Sequence, residues 1–150
     1  NDVRKTLVNP RAGEYYLDGK FSNLIGSSNI KVVRYEEVLL NAAEAELKAG
    51  SAAKALTYIN AIRTNRGLAA ATSVTIDDVK KERLLELMGE GFRYWDLLRW
   101  NSTIPYYTNL GVRDASKDKT VGDKMLAFPI PLTETTTPGT KVVSNPGYDN

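Results

Sequence analysis

The chain has 150 residues, of which 42% are hydrophobic and 25% are charged, as expected for one ordinary globular domain with enough apolar residues for a core. It contains no cysteine and no histidine, which excludes disulfides and thiol chemistry and removes the commonest general base and metal ligand. A net charge of +2, without a stripe of lysines and arginines, argues against a nucleic-acid partner. We therefore expect neither a cofactor nor a metal site, and an enzyme would have to work with Asp, Glu, Lys, Ser or Tyr alone. No apolar run approaches the roughly 20 residues that a membrane-spanning helix needs.

The first 30 residues are weakly patterned and predict an irregular segment of loops and extended pieces. The strongest local signals are a turn at Asn9-Pro10, a short strand over residues 15–17 and a hairpin turn at Asp18-Gly19.

Residues 31–65 predict a helical hairpin, because apolar residues recur with a helical period over 31–49 and again from Ala52 to about Asn65. Gly50 is suited to end the first helix, and Ser51 is suited to cap the second.

The hairpin resembles one degenerate tetratricopeptide unit. The small residues Ala43 and Ala55 would let two antiparallel helices approach closely. One such unit cannot bury its own faces, so we expect neighbouring helices, either from residues 82–100 or from repeats preceding this chain.

Residues 82–100 read ERLLELMGEGFRYWDLLRW and predict two helices that meet at a corner. Thr75, which two aspartates follow closely, predicts the start of the first helix. Gly89 and Gly91 suit the left-handed conformation that ends a helix. The apolar residues expected to be buried are Ile76, Val79, Leu84, Leu87 and Met88 on the first helix, and Phe92, Tyr94, Trp95, Leu97 and Leu98 on the second.

The same stretch carries an unusual set of charges. Glu82, Glu86 and Glu90 fall four residues apart and line one helix face. Further charges stand among residues that should be buried: Arg83, Arg93, Asp96 and Arg99. One interpretation is the paired-carboxylate site of a glycoside hydrolase. The other, which we favour because both signs are present in similar number, is a structural lattice of ion pairs that locks the helical corner.

The hairpin raises the same choice for its own polar residues, which are Arg34, Glu37, Glu44, Asn60, Arg63 and Arg66. They either contact a sugar or peptide in a groove, or brace the helices and cap backbone ends. We favour bracing, since these residues interleave with the apolar stripe.

Residues 101–127 lose the helical period and predict a surface excursion. Tyr106 and Tyr107 are adjacent, and an aromatic face can stack on a sugar ring while its hydroxyl forms hydrogen bonds. Together with Trp100, these tyrosines are the candidate ligand-binding residues. The alternative is that they anchor the loop to the core.

Residues 128–150 predict an extended tail. Pro129 and Pro131 enforce extended backbone and argue against a helix. The Asn-Pro-Gly sequence at 145–147 predicts a turn, and we expect Tyr148 to plug into the body of the protein.

Three motifs, in order, resemble the SusD/RagB family of outer-membrane nutrient-binding lipoproteins. The residues that carry the resemblance are residues 34–40, 43–45, 59–60, Arg63 and 66–67; then Glu82-Arg83, Glu86-Leu87, Glu90-Gly91, Arg93, Asp96-Leu97 and Arg99-Trp100; and finally Pro129-Ile130-Pro131 with Glu134 and residues 145–148. The matches span approximately residues 30–150.

The resemblance implies a mainly α fold with tetratricopeptide-like hairpins and extended ends. It also implies that the chain is the C-terminal part of a longer, lipid-anchored protein on the outer face of a Bacteroidetes outer membrane. Such proteins bind glycans, or sometimes peptides, without breaking a bond, and cover a TonB-dependent transporter of the SusC type. We expect this segment to act mainly as scaffold and transporter-facing surface, with the lipid anchor outside it.

We therefore predict a single domain, with an irregular segment over 1–30, a helical core over 31–100 and a loop and extended tail over 101–150. Two other functions remain open: a glycoside hydrolase that uses Glu82, Glu86 or Glu90, and a cytosolic tetratricopeptide adaptor that binds peptide tails.

Overall fold

The computed structural model describes residues 2–23, 29, 31–108, 111–139 and 142–148, and confirms a mainly α fold. These residues belong to two compact units, Asn1–Gly91 and Phe92–Asn150. The helices are α1 (Tyr35–Lys48), α2 (Ala52–Asn65), α3 (Ile76–Glu86), α4 (Phe92–Arg99), α5 (Asp123–Leu126) and α6 (Leu132–Thr136), with 3₁₀ turns at Val3–Leu7 and Ala115–Lys117. Two short strands, β1 (Asn9–Arg11) and β2 (Glu14–Tyr16), pair antiparallel. Within the described part of the chain, none of the helices is both long and apolar enough to cross a lipid bilayer.

The predicted hairpin is confirmed as α1 and α2, and α2 has the predicted bounds. Helix α1 begins later than predicted because Arg34, with φ −134° and ψ 159°, is still extended after two β-branched valines. Gly50 ends the first helix in the left-handed region, with φ 84°. The predicted Ser51 cap is wrong, since its side chain accepts no capping hydrogen bond.

The core of the first unit is apolar and lies where α1 packs against α2 and α3. Ala43 and Ala55 are fully buried, as close packing of two antiparallel helices requires. The larger buried side chains are Leu39, Leu40, Ile59, Ile62, Val74, Val79 and Leu87.

Helix α3 begins as predicted but exposes a different face. The Thr75 hydroxyl accepts from the amide of Asp78, and the Asp78 carboxylate accepts from the amide of Thr75, which completes a capping box. The predicted burial of Leu84 is wrong, because this side chain is 42% exposed while Glu82 and Glu86 are buried. The helix turns its acids inward since cations from other segments meet them there.

The N-terminal hairpin differs from the sequence prediction. Its turn lies at Ala12-Gly13, whose positive φ values of 51° and 86° are typical of a two-residue type I′ hairpin turn. Asn9-Pro10, predicted as a turn, lies in β1, with Asn9 paired to Tyr16. Asp18-Gly19 forms a turn after the hairpin rather than its tip.

In the second unit, α4 buries Asp96, Leu97 and Leu98. The predicted burial of Tyr94 and Trp95 is wrong, since they are 45% and 58% exposed, with ring centroids 5.6 Å apart. The buried face is instead formed by Asp96, Leu97 and Leu98, and the buried Asp96 carboxylate pairs with the more exposed Arg99 at 2.9 Å. Arg93 and Arg99 are exposed, contrary to the expectation that they lie among buried residues.

The C-terminal residues contain a helix that the sequence argument excluded. Helix α6 follows directly after Pro131, whose missing N–H costs nothing at a helix start. The Thr135 and Thr136 hydroxyls donate to the carbonyl of Leu132 and tie the turn together. Tyr148 is half-buried, and its hydroxyl donates to the carbonyl of Lys124 at 3.0 Å, which attaches the end of the tail to α5.

We expect Ala55→Leu to lower the free energy of unfolding by about 1–3 kcal/mol, because the added side chain overpacks the α1–α2 contact. Ala53→Leu is the matched control, since Ala53 is exposed on the same helix. Urea denaturation measures both, and equal stability of the two variants would contradict the assignment of Ala55 to the core.

Candidate functional site

The acidic face of α3 and the turn after it form the most highly charged buried cluster in the first unit. Glu82 and Glu86 are each 4% exposed. Glu90 lies past the end of α3, between Gly89 and Gly91, which have φ values of 77° and 83° as the sequence predicted. The four-residue spacing places Glu82 and Glu86 on one face of α3, and Arg34 bonds both Glu86 and Glu90, so all three carboxylates lie on one side.

Glu86 is the centre of this cluster. Its carboxylate accepts hydrogen bonds from Arg34 Nη1 at 2.8 Å, Arg66 Nη2 at 2.7 Å and Arg4 Nη1 at 3.1 Å. Burial alone would raise the pKa of Glu86, but the hydrogen bonds and charges of Arg66 and Arg34 outweigh it and lower the pKa to about 2. Glu86 therefore stays ionised at physiological pH.

The two flanking acids are paired in the same way. Glu82 accepts from Arg4 Nη1 at 2.6 Å and lies 3.8 Å from Arg63 Nη1. Glu90 accepts from Arg34 Nε at 2.8 Å and pairs with Lys20 at 2.5 Å. Burial raises the pKa of Glu90, but Arg34 and Lys20 more than compensate and lower it.

Arg34 and Arg66 connect this cluster to the hairpin. Arg34 pairs with Glu36 at 3.0 Å, and its Nη2 donates to the backbone carbonyl of Glu86 at 2.6 Å. Arg66 also pairs with Glu36, at 2.8 Å. We call this cluster the arginine–carboxylate lattice; its members are Asp2, Arg4, Lys20, Arg34, Glu36, Arg63, Arg66, Glu82, Glu86 and Glu90.

Arg4 and Lys20 are members that the sequence argument missed. Arg4 is 6% exposed, and its guanidinium also donates hydrogen bonds to both carboxylate oxygens of Asp2. Lys20 donates to the backbone carbonyls of Glu86 and Met88 at 2.9 and 2.8 Å, and thereby caps the C-terminal end of α3. The only local signal was the Asp-x-Arg spacing near the N-terminus, which does not reveal a partner about 80 residues away.

The remaining polar residues of the hairpin have mainly structural contacts. Asn60 clamps the loop before α3, since its side chain bonds both the amide and the carbonyl of Ala71 at 2.7 and 3.0 Å. Arg63 donates to the carbonyl of Ala69 in the same loop. Glu44 is buried and bonded by Lys48 one helical turn away. These contacts fit the bracing role.

Five further signature residues lie outside the lattice. Arg83 donates to the side chain of Asn41 at 2.6 Å and so joins α3 to α1. Glu37 is half-buried, and one of its carboxylate oxygens has no hydrogen-bond partner in the part of the chain that the structure describes. Arg93 lies at the surface of α4, while Asp96 and Arg99 form their own pair.

The geometry of the lattice is unsuited to acid–base catalysis. A glycoside hydrolase needs one carboxyl group that keeps its proton near neutral pH and a second that is ionised. Here Glu86 and Glu90 have lowered pKa values, and arginine pairs with each of the three acids on α3 and its following turn. Across the described ranges, no group of three His, Cys, Asp or Glu side chains could hold a metal ion.

The candidate ligand residues lie in the second unit. Tyr107 is 54% exposed and forms an isolated bridge with Arg113. The Lys117 ammonium lies 5.3 Å from the Tyr106 ring centre, and the Arg99 guanidinium lies 4.6 Å from that of Trp100. Cations therefore occupy a face of two of the three rings, which leaves Tyr107 as the most open stacking surface.

A cleft of about 770 Å³ lies beside the lattice in the first unit. The residues before α1 that line it are Val3, Arg4, Thr6, Leu7, Lys20, Phe21, Ser22, Asn23, Asn29, Lys31 and Arg34. Arg66, Glu86 and Glu90 of the lattice also line it. The volume is within the range of small-ligand sites.

We expect Glu86→Gln to destabilise the folded state by about 3–5 kcal/mol near neutral pH, because it leaves buried arginines without their central counter-charge. Since the folded pKa is about 2 and the usual value is 4.5, this contribution is fully present above about pH 5 and is lost as the pH falls toward 2. The stability gap between wild type and variant should therefore close over that range. Urea unfolding followed by circular dichroism at several pH values measures it.

Glu134→Gln is the matched control, because Glu134 is exposed and outside the lattice. A Glu86→Gln protein as stable as this control at neutral pH would contradict a bracing role for Glu86.

Comparison with known proteins agrees with the motifs and the fold. The model of the SusD family matches residues 9–148. The SusD-like protein P38 of Formosa agariphila is 38% identical over 93 residues, which are 53% of this chain and 18% of that protein. The chain thus spans about a fifth of this relative's length.

Solved structures show the same relationship. A SusD superfamily protein from Bacteroides vulgatus superposes with a TM-score of 0.70 at 32% identity, over 99% of this chain and 36% of that one. The surface glycan-binding protein A from Bacteroides uniformis matches with a TM-score of 0.58 at 34% identity, over 79% of this chain and 28% of that one. With the family model covering both compact units, this chain belongs to the SusD family.

Proposed function

We propose that this chain is the helical scaffold of a non-catalytic glycan-binding protein at the surface of a Bacteroidetes outer membrane. Membership of the SusD family supports this, and one structural relative is a surface glycan-binding protein. The family model spans both compact units, which supports treating residues 1–150 as one SusD-like domain. The lipid anchor and the SusC-type TonB-dependent transporter are the membrane attachment and partner that this family implies.

The observation that carries the proposal is the arginine–carboxylate lattice. A binding protein needs a rigid frame that holds its contact residues in place. The lattice joins the N-terminal residues, both ends of the α1–α2 hairpin and the end of α3 through short ion pairs. Such a network of matched charges contributes rigidity, and the lowered pKa values of Glu86 and Glu90 favour bracing over proton donation to a glycoside.

The glycan-stacking residues that we propose within this chain are Tyr106, Tyr107 and Trp100, as secondary contacts. The exposure of Tyr107 supports this, since sugar rings stack on open aromatic faces. The main ligand contacts are proposed to lie outside the chain, because it spans only 28% of the glycan-binding structural relative. A tetratricopeptide adaptor is less favoured, since Arg34 and Arg66 at the two chain ends of the hairpin are already paired with Glu36 and Glu86 of this chain.

The glycan-binding role is tested on a glycan array with this chain and with the longest polypeptide encoded in frame with it. We expect the longer protein to bind a glycan, the chain alone to bind none, and neither to release new reducing ends from it. Binding by the chain alone that is lost in Tyr107→Ala but kept in the exposed control Tyr15→Ala would instead place the main site here. Turnover that Glu82→Gln or Glu90→Gln abolishes would overturn the non-catalytic assignment.

The transporter-facing role is tested by pull-down with a SusC-type TonB-dependent transporter from the organism that encodes this chain. The longer protein should capture the transporter, and deletion of residues 1–150 from it should reduce capture several-fold. Equal capture with and without the segment would contradict the proposed surface, and circular dichroism of the deletion protein controls for misfolding.

A further inference from the structure

The N-terminal residues form a closed loop whose two ends meet. Residues 2–21 comprise the first 3₁₀ turn, the β1–β2 hairpin and the turn around Asp18. An added Cβ at Gly19 would lie 2.5 Å from the Thr6 carbonyl oxygen and 2.7 Å from the Leu7 Cα, so the two ends of the loop touch through their backbones. Asp18 also accepts from Asn9 at 2.5 Å and pairs with Arg11. These contacts make residues 2–21 one compact body.

Two cations attach this body to the helical core, one at each end. Arg4 inserts between Asp2, Glu82 and Glu86. Lys20 binds Glu90 and caps the last carbonyls of α3. Gly89 lets the loop approach this helix end, since a Cβ there would lie 2.8 Å from the Leu17 side chain.

Apolar burial contributes little to this attachment. None of the apolar side chains of residues 2–21 is fully buried: Val3 and Phe21 are each 52% exposed, Tyr15 is 78% exposed, and Leu7, Val8 and Leu17 are half-buried. Among the described residues, the backbone hydrogen bond from Val3 to Arg66 at 3.0 Å adds one further link between this loop and the hairpin. Attachment therefore depends mainly on Arg4 and Lys20, and because Gly19 joins the two ends, loss of one cation loosens the other end as well.

We propose that residues 2–21 form a clasp that docks and releases as one cooperative unit, fastened by Arg4 and Lys20. Six residues of the clasp line the cleft of about 770 Å³, which Arg34 and Glu90 of the lattice also line. Its release opens that cleft while the α1–α2 core stays folded, as expected for a region with few buried apolar contacts. The clasp is thus a conformational device beyond the scaffold role.

Native-state amide exchange followed by NMR tests the clasp on the 150-residue chain. The reporters are the Val3 amide, bonded to the Arg66 carbonyl across the attachment, and the Phe21 amide, bonded to the Leu17 carbonyl at 2.9 Å. The second bond closes a turn whose Leu17 and Phe21 side chains lie against Gly89, so we expect this turn to open when the clasp is released. In the wild type, both amides should exchange through the same opening reaction, with the same dependence on denaturant concentration. The free energy of that opening should be smaller than the free energy of global unfolding. Lys20→Met should speed exchange at Val3, and Arg4→Met at Phe21, each by about tenfold or more.

Matched variants separate the clasp from general destabilisation. Lys5→Met removes a neighbouring exposed cation and should change neither reporter. Gly19→Ala should speed both, while Gly122→Ala, where a Cβ meets nothing within 4 Å, should change neither. The Ile59 amide in α2 should keep its wild-type rate in the clasp variants, and if it accelerates in parallel, the clasp is no separate unit. The proposal would also be overturned if a substitution sped exchange only at the amide of its own end. It would be overturned as well if the two amides of the wild type had different opening free energies.

Discussion

The charge balance of one buried cluster constrains most of the first unit. Glu86 lies in the interior, where an unpaired carboxylate would be very unfavourable, so Arg4, Arg34 and Arg66 have to reach it. Those arginines come from three separate segments of the chain. Their convergence fixes the start of α1, the end of α2 and the N-terminal loop relative to α3. The apolar core beneath, around Leu40 and Ile62, provides the burial energy, whereas the lattice determines which segments meet.

This constraint also explains which functions the cluster fits. A pair of catalytic carboxylates includes at least one whose pKa is raised toward the working pH. In the lattice, the pKa values of Glu86 and Glu90 are lowered instead. The acids that looked most like a hydrolase site from their spacing are thus the ones most firmly committed to structure. That result agrees with membership of the SusD family, whose relatives include a surface glycan-binding protein.

The lattice also gives the N-terminal residues their distinctive attachment. They contribute few apolar contacts, yet two of their cations occupy essential positions, one inside the lattice and one at the end of α3. A segment held in this way can be firmly placed and still be separable from the core, because its attachment is concentrated in two side chains. Rigidity and local opening are therefore compatible in the same fold.

Three ordered motifs in the sequence carried the family resemblance. The sequence by itself also determined the two helices of the hairpin, the helix start at Thr75 and the glycine-terminated helix ends. Each of these depends on neighbours within a few residues, where periodicity, capping and backbone preference act directly. It also indicated that the acids of α3 would be paired, because both signs were present in similar number. Only the tertiary structure decided that Leu84 faces outward, that Trp95 is exposed, and that Arg4 and Lys20 complete the lattice. These outcomes depend on contacts between residues that are far apart in the chain, and side-chain pattern within one helix carries no information about which distant cation will meet it.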